Sequence, residues 1–441
     1  MGTAISGELA ENLELVFVDM NGVPRGKTIK SSTFREENLP HIAAAVLCQS
    51  ITGAYSNVAM EKYDPKDEDM LLSPQWSTCR SVPWQSDDTS QVIVETIDKA
   101  GLAVAFDPRN VLCRVLERYQ ELGLKPIVAP ELEFYLLSPL GRDDHTLVTA
   151  TGIGGHDEFG GEAFGSDTLS KFRPFINDLN RFCKACDLPL SSLLHEMGPA
   201  QIELNVGHGE ALAKVDELVQ LKRLVKAAAM KHGHHASFMA KPIADLPGSG
   251  LHIHCSLIDE AGENRFQLKN GDASDTLRFF IGGLQAYLPH AFALIAPNVN
   301  SFKRFVPDSS APINLEWGYD NRTTGFRVPY GPDSDGRVEN RVAGADANPY
   351  LVVAATLACG LLGIVEAIEA TSPVETDAYD LRPNLPENLA DGLRALQAND
   401  KLVELFSKPF VDVFVSVKQD ELADFSTRVS SWEVSYLGSS L

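Results

Sequence analysis

Glu131 and Glu133 stand two residues apart in KPIVAPELEFYLL, a segment whose other residues are almost wholly apolar. An extended backbone sends residues i and i+2 to the same face, so both carboxylates share one side of a strand. A buried strand does not carry two anions without a counter-ion. The pattern returns along the chain. HEMGPAQIELNV puts Glu196 and Glu203 on two apolar segments joined by a turn at Gly198-Pro199. GSGLHIHCSL puts His252, His254 and Ser256 on one strand face, and GRVENRVA does the same for Arg337, Glu339 and Arg341. Taken singly, each reads as a satisfied core histidine or a structural ion pair. Taken together, the carboxylates suit hard cations such as Mg²⁺ or Mn²⁺, and the arginines suit phosphate or carboxylate ligands. Metal, phosphate and arginine are the apparatus of phosphoryl transfer.

Other candidates carry less. No GxxxxGK[ST] occurs, and Gly152, Gly154, Gly155, Gly160 and Gly161 fit no dinucleotide fingerprint, so they read as a flexible loop. His232, His234 and His235 close a helix, where histidine suits the dipole, and metal binding there is the secondary reading. Cys183 and Cys186 form a CxxC with no second pair among the 7 cysteines, which reads as reduced packing cysteines.

The elements that must position these residues alternate along the chain. Residues 1–105 read as a small α+β unit, with strand-like runs around Asn21-Gly22 and a polar, Pro- and Trp-rich loop over 61–88. A helix starts near Pro108, where Val111, Leu112, Val115 and Leu116 have helical spacing. Residues 106–441 then mix helices with strands separated by too few residues for parallel crossovers, which predicts α+β with a mostly antiparallel sheet. The 441 residues are 44% hydrophobic, enough for a large core. With 38 basic and 60 acidic residues the formal charge is −22, which argues against nucleic acid and anionic lipid as partners. The longest apolar stretch, 349–365, is shorter than the ~20 residues of a membrane span and rich in Ala and Gly, so it reads as a core helix. The opening MGTAISGELAENLELVF has neither a basic start nor a long apolar run, so no signal peptide is expected and the chain reads as cytoplasmic.

The motifs PELEF, HEMGPAQIELN, FMAKP, GSGLHIHCSL, WGYDNRTTGFRVP and RVENRVAGADANPYL, in this order and spacing, resemble the glutamine synthetase superfamily over nearly the whole chain. Within it they are most similar to the glutamate–polyamine (γ-glutamylputrescine) ligases. The resemblance implies an N-terminal β-grasp domain, a glutamine synthetase-type catalytic α/β domain, and a dodecamer of two hexameric rings in which a neighbour's N-terminal domain completes each site. It implies that Glu133, Glu196 and Glu203 hold one metal, and that Glu131, His252 and Glu339 hold a second on the ATP phosphates. Arg304 and Arg341 would grip glutamate, with the backbone near Gly248. Arg322, Arg327 and Arg337 would face the phosphates, and His254 and Ser256 would lie along the nucleotide. Arg322, Glu203 and Glu339 would be the catalytic residues, and Glu133 would also face the substrate. The cofactors implied are ATP and Mg²⁺ or Mn²⁺.

The sequence departs from the ammonia-using members in one place. Two acids help those enzymes bind and deprotonate ammonium; the matching positions here are Ser310, in KRFVPDSSAPIN, and Ser50, in VLCQSITGAYS. The aromatic lining that pocket corresponds to Phe164, and Pro247 stands where Asn is usual. A pocket without those anions is a poor ammonium site, so the expected reaction joins glutamate to an organic amine, a mono- or polyamine. An ammonia-using glutamine synthetase and a catalytically silent homologue are the alternatives. Tyr379, in DAYDL, falls near a tyrosine that some bacterial members adenylylate; an ordinary surface-loop tyrosine is the main reading.

Overall fold

Two sheets carry the chain. The computed structural model describes residues 10–139, 146–155, 158, 162–307 and 309–438. Gly160 and Gly161 of the glycine-rich loop lie outside the described residues. In the first sheet, β1 (Asn12–Val18) and β2 (Pro24–Lys30) form the expected hairpin. Gly22 takes φ +73° in its turn, a left-handed conformation that glycine adopts freely. The remaining strands are β3 (His41–Ala43), β4 (Asp69–Pro74), β5 (Arg80–Ser81) and β6 (Thr89–Ile97), in the order β2-β1-β6-β4-β3 with β5 also on β6. β1 runs parallel to β6 and the other pairs are antiparallel. The 61–88 region is therefore not wholly a loop: Met70 and Leu72 alternate into the core at 1% and 0% exposure and make Asp69–Pro74 a strand.

The second sheet is built on β7 (Leu124–Leu137), β8 (Leu190–His195), β9 (Gln201–Val206), β10 (Gly209–Glu210), β11 (His235–Ser237) and β12 (Leu251–Asp259). A separate small hairpin, β13 (Leu268–Lys269) and β14 (Asp272–Ala273), is followed by β15 (Trp317–Tyr319), β16 (Phe326–Val328) and β17 (Val338–Asn340). The order is β15-β16-β17-β12-β7-β9-β8, with β10 and β11 also on β7. Among the described residues only β15–β16 is parallel, so the sheet is mostly antiparallel, as the short connections require.

Helices cover this sheet. Pro108–Glu121 starts with Pro at its first position and Asp107 as the cap, whose carboxylate accepts from Arg109 N at 2.7 Å. The apolar helix Pro349–Glu366 lies against Asp275–Ile295 inside the core. A Cβ on Gly283 would sit 2.3 Å from the Cys359 carbonyl, and one on Gly363 would sit 2.1 Å from the Phe279 carbonyl. Glycine thus lets the two backbones touch, which explains the small residues of that stretch. Cys183 and Cys186 are buried free thiols, and burial pushes Cys183 up to about 12. His232 faces Asp178 at 2.8 Å and His234 packs on Phe172, so the histidine cluster is spent on local structure.

Candidate active site

Strand register writes the site as one row. Glu203 on β9 is opposite Glu133 on β7; Glu131 on β7 is opposite His252 on β12; His254 on β12 is opposite Glu339 on β17; and Glu339 is opposite Arg327 on β16. Directly opposed residues point to the same face, so five neighbouring strands present acid, imidazole and guanidinium on one surface. His254 Nε2 lies 3.0 Å from Glu131 Oε1. His252 sits between Glu131, Glu133 and Glu339, 3.6 Å from an oxygen of each. Arg341 Nη1 donates to Glu339 Oε1 at 2.6 Å, and Arg327 Nη1 to Glu339 Oε2 at 2.9 Å. Arg327 is held in turn by Asp320, to which its Nε donates at 3.1 Å.

The row is electrostatically uneven. Burial alone would raise the Glu131 carboxyl, but hydrogen bonds from His252 and then His254 outweigh it and hold it below the usual carboxylate range. Glu339, fully buried, is held down to about 2, because Arg341 and then the two imidazoles overcome the burial penalty. At the other end the nearby cations do not offset burial. Burial, then the charge of Glu133, pushes Glu196 up to about 7. Burial, then Glu131, Glu133 and Glu196, pushes Glu203 up to about 9. A site short of positive charge, lined by carboxylates and imidazole, is what a divalent cation satisfies. Two groups offer ligand atoms within 4.8 Å of one another: Glu131, Glu203 and His252, and Glu131, His254 and Glu339. His252 Nε2 is buried without a hydrogen-bond partner, which fits a ligand position. Glu131 thus belongs to both groups, and His254 joins the second as well as lining a cavity with three arginines. Glu133 is more engaged: it accepts from Gly250 N at 2.8 Å and from Gln201 Nε2 at 3.5 Å.

Cavities open on either side of the row. The larger, of about 670 Å³, brings together Arg322, Arg327, Arg337, His254 and Ser256. It also holds Tyr330, 88% exposed, whose ring had no signal in the sequence beyond its place after Pro329. The smaller leaves about 20 Å³ among Glu133, Glu196, Gly248, Arg304, Ser310 and their neighbours Met197, Gln201 and Pro247. A Cβ on Gly248 would lie 2.6 Å from the Ala240 carbonyl and 2.7 Å from Arg304 Cγ, so only glycine lets this backbone line the cavity. Arg304 donates to the Val342 carbonyl at 2.8 Å and the Arg341 carbonyl at 3.2 Å. Arg341 keeps a buried Nε without a partner. Three expected substrate residues do not line this cavity: Arg341, which pairs with Glu339, and Ser50 and Phe164. Ser50 is in a turn of the N-terminal sheet, its hydroxyl 2.9 Å from Thr52 Oγ1 and accepting from Ala54 N at 3.2 Å. Phe164 is 73% exposed at φ +61°, although its N–H reaches the His195 carbonyl at 2.9 Å, one residue from Glu196. Tyr379 donates to the Ala311 carbonyl at 2.9 Å, tying its loop to the segment that carries Ser310.

Residues 105–437 match the family model of the glutamine synthetase catalytic domain. The chain belongs to the glutamine synthetase family. It is 33% identical over 430 residues to the γ-glutamylputrescine synthetase PuuA of Escherichia coli (strain K12), covering 96% of this chain and 91% of that protein. A glutamine synthetase of Pyrococcus horikoshii is 35% identical over 436 residues, covering 96% of this chain and 92% of the relative. A glutamate–isopropylamine ligase of a Pseudomonas species is 31% identical over 440 residues, covering 96% and 94%. Among solved structures, a GmaS/ADP complex superposes with a TM-score of 0.85 at 27% identity, covering 97% of each chain. The enzyme is an ATP-dependent ligase of this family. For a glutamine synthetase-family ligase, the divalent metals that the acidic row fits are the expected cofactors.

The signals that could have found the missed residues are chemical rather than periodic. Gln201 lies two residues before Glu203 on the same strand face, where it bonds Glu133 and the Gly248 carbonyl. Asp320 sits in a turn seven residues before Arg327, which is on a strand, and only the folded chain joins them.

Proposed function

We propose that this glutamine synthetase-family enzyme joins the γ-carboxylate of glutamate to an organic amine through γ-glutamyl phosphate. The carrying observation is the amine side: Ser310, not an acid, lines the cavity beside Glu196 and Met197. Ammonium is strongly hydrated and needs close anions to replace its water, whereas an organic amine brings carbon to bury.

The reaction follows from leaving-group chemistry. A carboxylate cannot be attacked directly, because oxide would have to leave. Transfer of the ATP γ-phosphoryl to a γ-carboxylate oxygen breaks the bond to ADP and makes a mixed anhydride. The amine nitrogen then attacks the γ-carbon, phosphate departs with the bridging oxygen, and the nitrogen loses a proton. Arg322, Arg327 and Arg337 orient and neutralise the phosphates, with His254 and Ser256 along the nucleotide. Arg304, Arg341 and the Gly248 backbone position glutamate. Divalent metal held by Glu131, Glu133, Glu196, Glu203, His252 and Glu339 would supply charge neutralisation at the transferring group. Glu339 holds Arg327 and Arg341 at fixed positions on this row.

This reading divides the chain at residue 105, takes the N-terminal sheet as a β-grasp domain, and places the enzyme in the cytoplasm. It also takes the enzyme to be a homo-oligomer, a dodecamer of two hexameric rings, in which a neighbour brings Ser50 to the site. Ser50, which does not line its own chain's cavity, supports that assembly. Ammonia-using glutamine synthesis is the second reading, favoured by the 35% identical relative that carries that name. Phosphate release with glutamate, ATP and either ammonium or a panel of amines separates them. The proposal expects release with organic amines at least a hundredfold more efficient by kcat/KM; equal efficiency with ammonium would replace it by the second reading.

A further inference from the structure

We infer that Met197 is the residue that selects the amine, and that the amine it selects is a short monoamine without a second charged end; this rests on the amine-ligase reading above. The argument starts from the wall of the small cavity. Met197 follows the ligand Glu196 directly, and its backbone N–H donates to Glu196 Oε2 at 3.3 Å. Its side chain faces the opposite wall, where Ser310 Oγ donates to Met197 Sδ at 3.1 Å. That contact joins the turn between β8 and β9 to the segment 309–311, and closes the space to about 20 Å³. A cavity of that size takes about one water, since one probe sphere is roughly 10–15 Å³. An amine bearing carbon does not fit until something withdraws.

Met197 is the side chain able to withdraw. It is 45% exposed, and its unbranched thioether turns about three bonds without backbone movement. Three other parts of the wall are held in place. Gly198 has no room for a side chain, because a Cβ there would meet Tyr135 Oη at 2.0 Å. Tyr135 in turn donates to the Pro247 carbonyl at 2.8 Å, and Tyr379 holds the Ala311 carbonyl. With Met197 rotated outward, the amine's carbons lie against its methylene and methyl groups. The acids on this wall among the described residues are Glu133 and Glu196, both among the proposed metal ligands. Beyond those two acids, a distal ammonium would meet a thioether, a serine and a proline of its own chain, and Ser50 is the residue the proposed neighbour brings, so the ammonium's lost hydration would not be replaced by an anion.

The test compares propylamine, isopropylamine, hexylamine and putrescine by kcat/KM in the wild-type enzyme and in Met197→Ala and Met197→Glu. The wild type is expected to prefer the monoamines over putrescine by tenfold or more. Met197→Ala should raise use of the longer hexylamine relative to propylamine by tenfold or more, through KM for the amine. Met197→Glu should raise the putrescine-to-propylamine ratio by a similar factor, because a carboxylate then faces the distal ammonium. The ATP dependence, read in the same assay, reports that the nucleotide side still assembles. Unchanged amine ratios in both variants, or a wild-type preference for putrescine, overturn the role of Met197 while leaving the amine-ligase reading intact. Failure of every organic amine to outdo ammonium overturns that reading itself.

Discussion

The proposed nucleotide end and the proposed amine end of the site are built differently. At the nucleotide end, side chains come from five neighbouring strands whose register fixes who faces whom, and the cavity stands open at about 670 Å³. At the amine end, the walls are the 196–200 turn, Arg304 and residues 309–311; Ala200 and Ser310 have φ of +55° and +64°, and about 20 Å³ remains. Strands hold charge in place for a reaction common to the family. Loops decide what reaches it, and they can change without disturbing the row.

The row should fail completely without its metal. Chelation should abolish ATP-dependent turnover, measured as phosphate release, and added Mg²⁺ or Mn²⁺ should restore it; full activity after exhaustive chelation would show that the acids serve another purpose. The same acids set a pH signature. Glu196 and Glu203, ordinarily near 4.5, are pushed up to about 7 and about 9. Across that window the folded chain holds protons that the unfolded chain has released, so stability falls as pH rises. Metal replaces those protons. The chelated protein should therefore melt at a lower temperature at about pH 8 than at about pH 6, and bound Mg²⁺ should flatten the difference.

Next in size is Glu339→Gln. The amide keeps the shape but leaves Arg327 and Arg341 without their shared anion, and removes a candidate ligand. Turnover should drop by about a hundredfold or more, and urea midpoints should report a stability loss on the order of 3 kcal/mol. Near-normal activity would mean that the row tolerates a break at its centre.

These residues are legible in the sequence because period-two spacing, apolar flanks and charge together leave few explanations. Glu131 and Glu133, His252 and His254, and Arg337, Glu339 and Arg341 each declare a shared face through their spacing. What spacing leaves open is which face meets which, and the pairing of His254 with both Glu131 and Glu339 depends on register across three strands. The strand Asp69–Pro74 is hidden by its polar, proline-rich surroundings, although Met70 and Leu72 alternate as a half-buried strand should. The contact between Met197 and Ser310 joins residues 113 apart through a left-handed loop, which no local pattern encodes.

Two smaller effects sharpen the contrast between the ends. Arg341→Lys loses a planar fork that an ammonium cannot reproduce. It should raise KM for glutamate by about tenfold, roughly 1.4 kcal/mol, while leaving KM for ATP within a factor of two or three; an equal rise in both would place Arg341 on the nucleotide side. Tyr330→Ala removes an exposed ring at the mouth of the larger cavity, where it can stack on a base. It should raise KM for ATP several-fold, about 1 kcal/mol, with no change in KM for the amine.

The central claim is that a serine-lined, methionine-walled cavity selects an organic amine over ammonium. The most direct test is competition: the enzyme, glutamate, ATP and Mg²⁺ with equal concentrations of ammonium and isopropylamine, the products weighed by mass spectrometry. The account predicts γ-glutamyl-isopropylamide as the dominant product, and glutamine as the dominant product would contradict it.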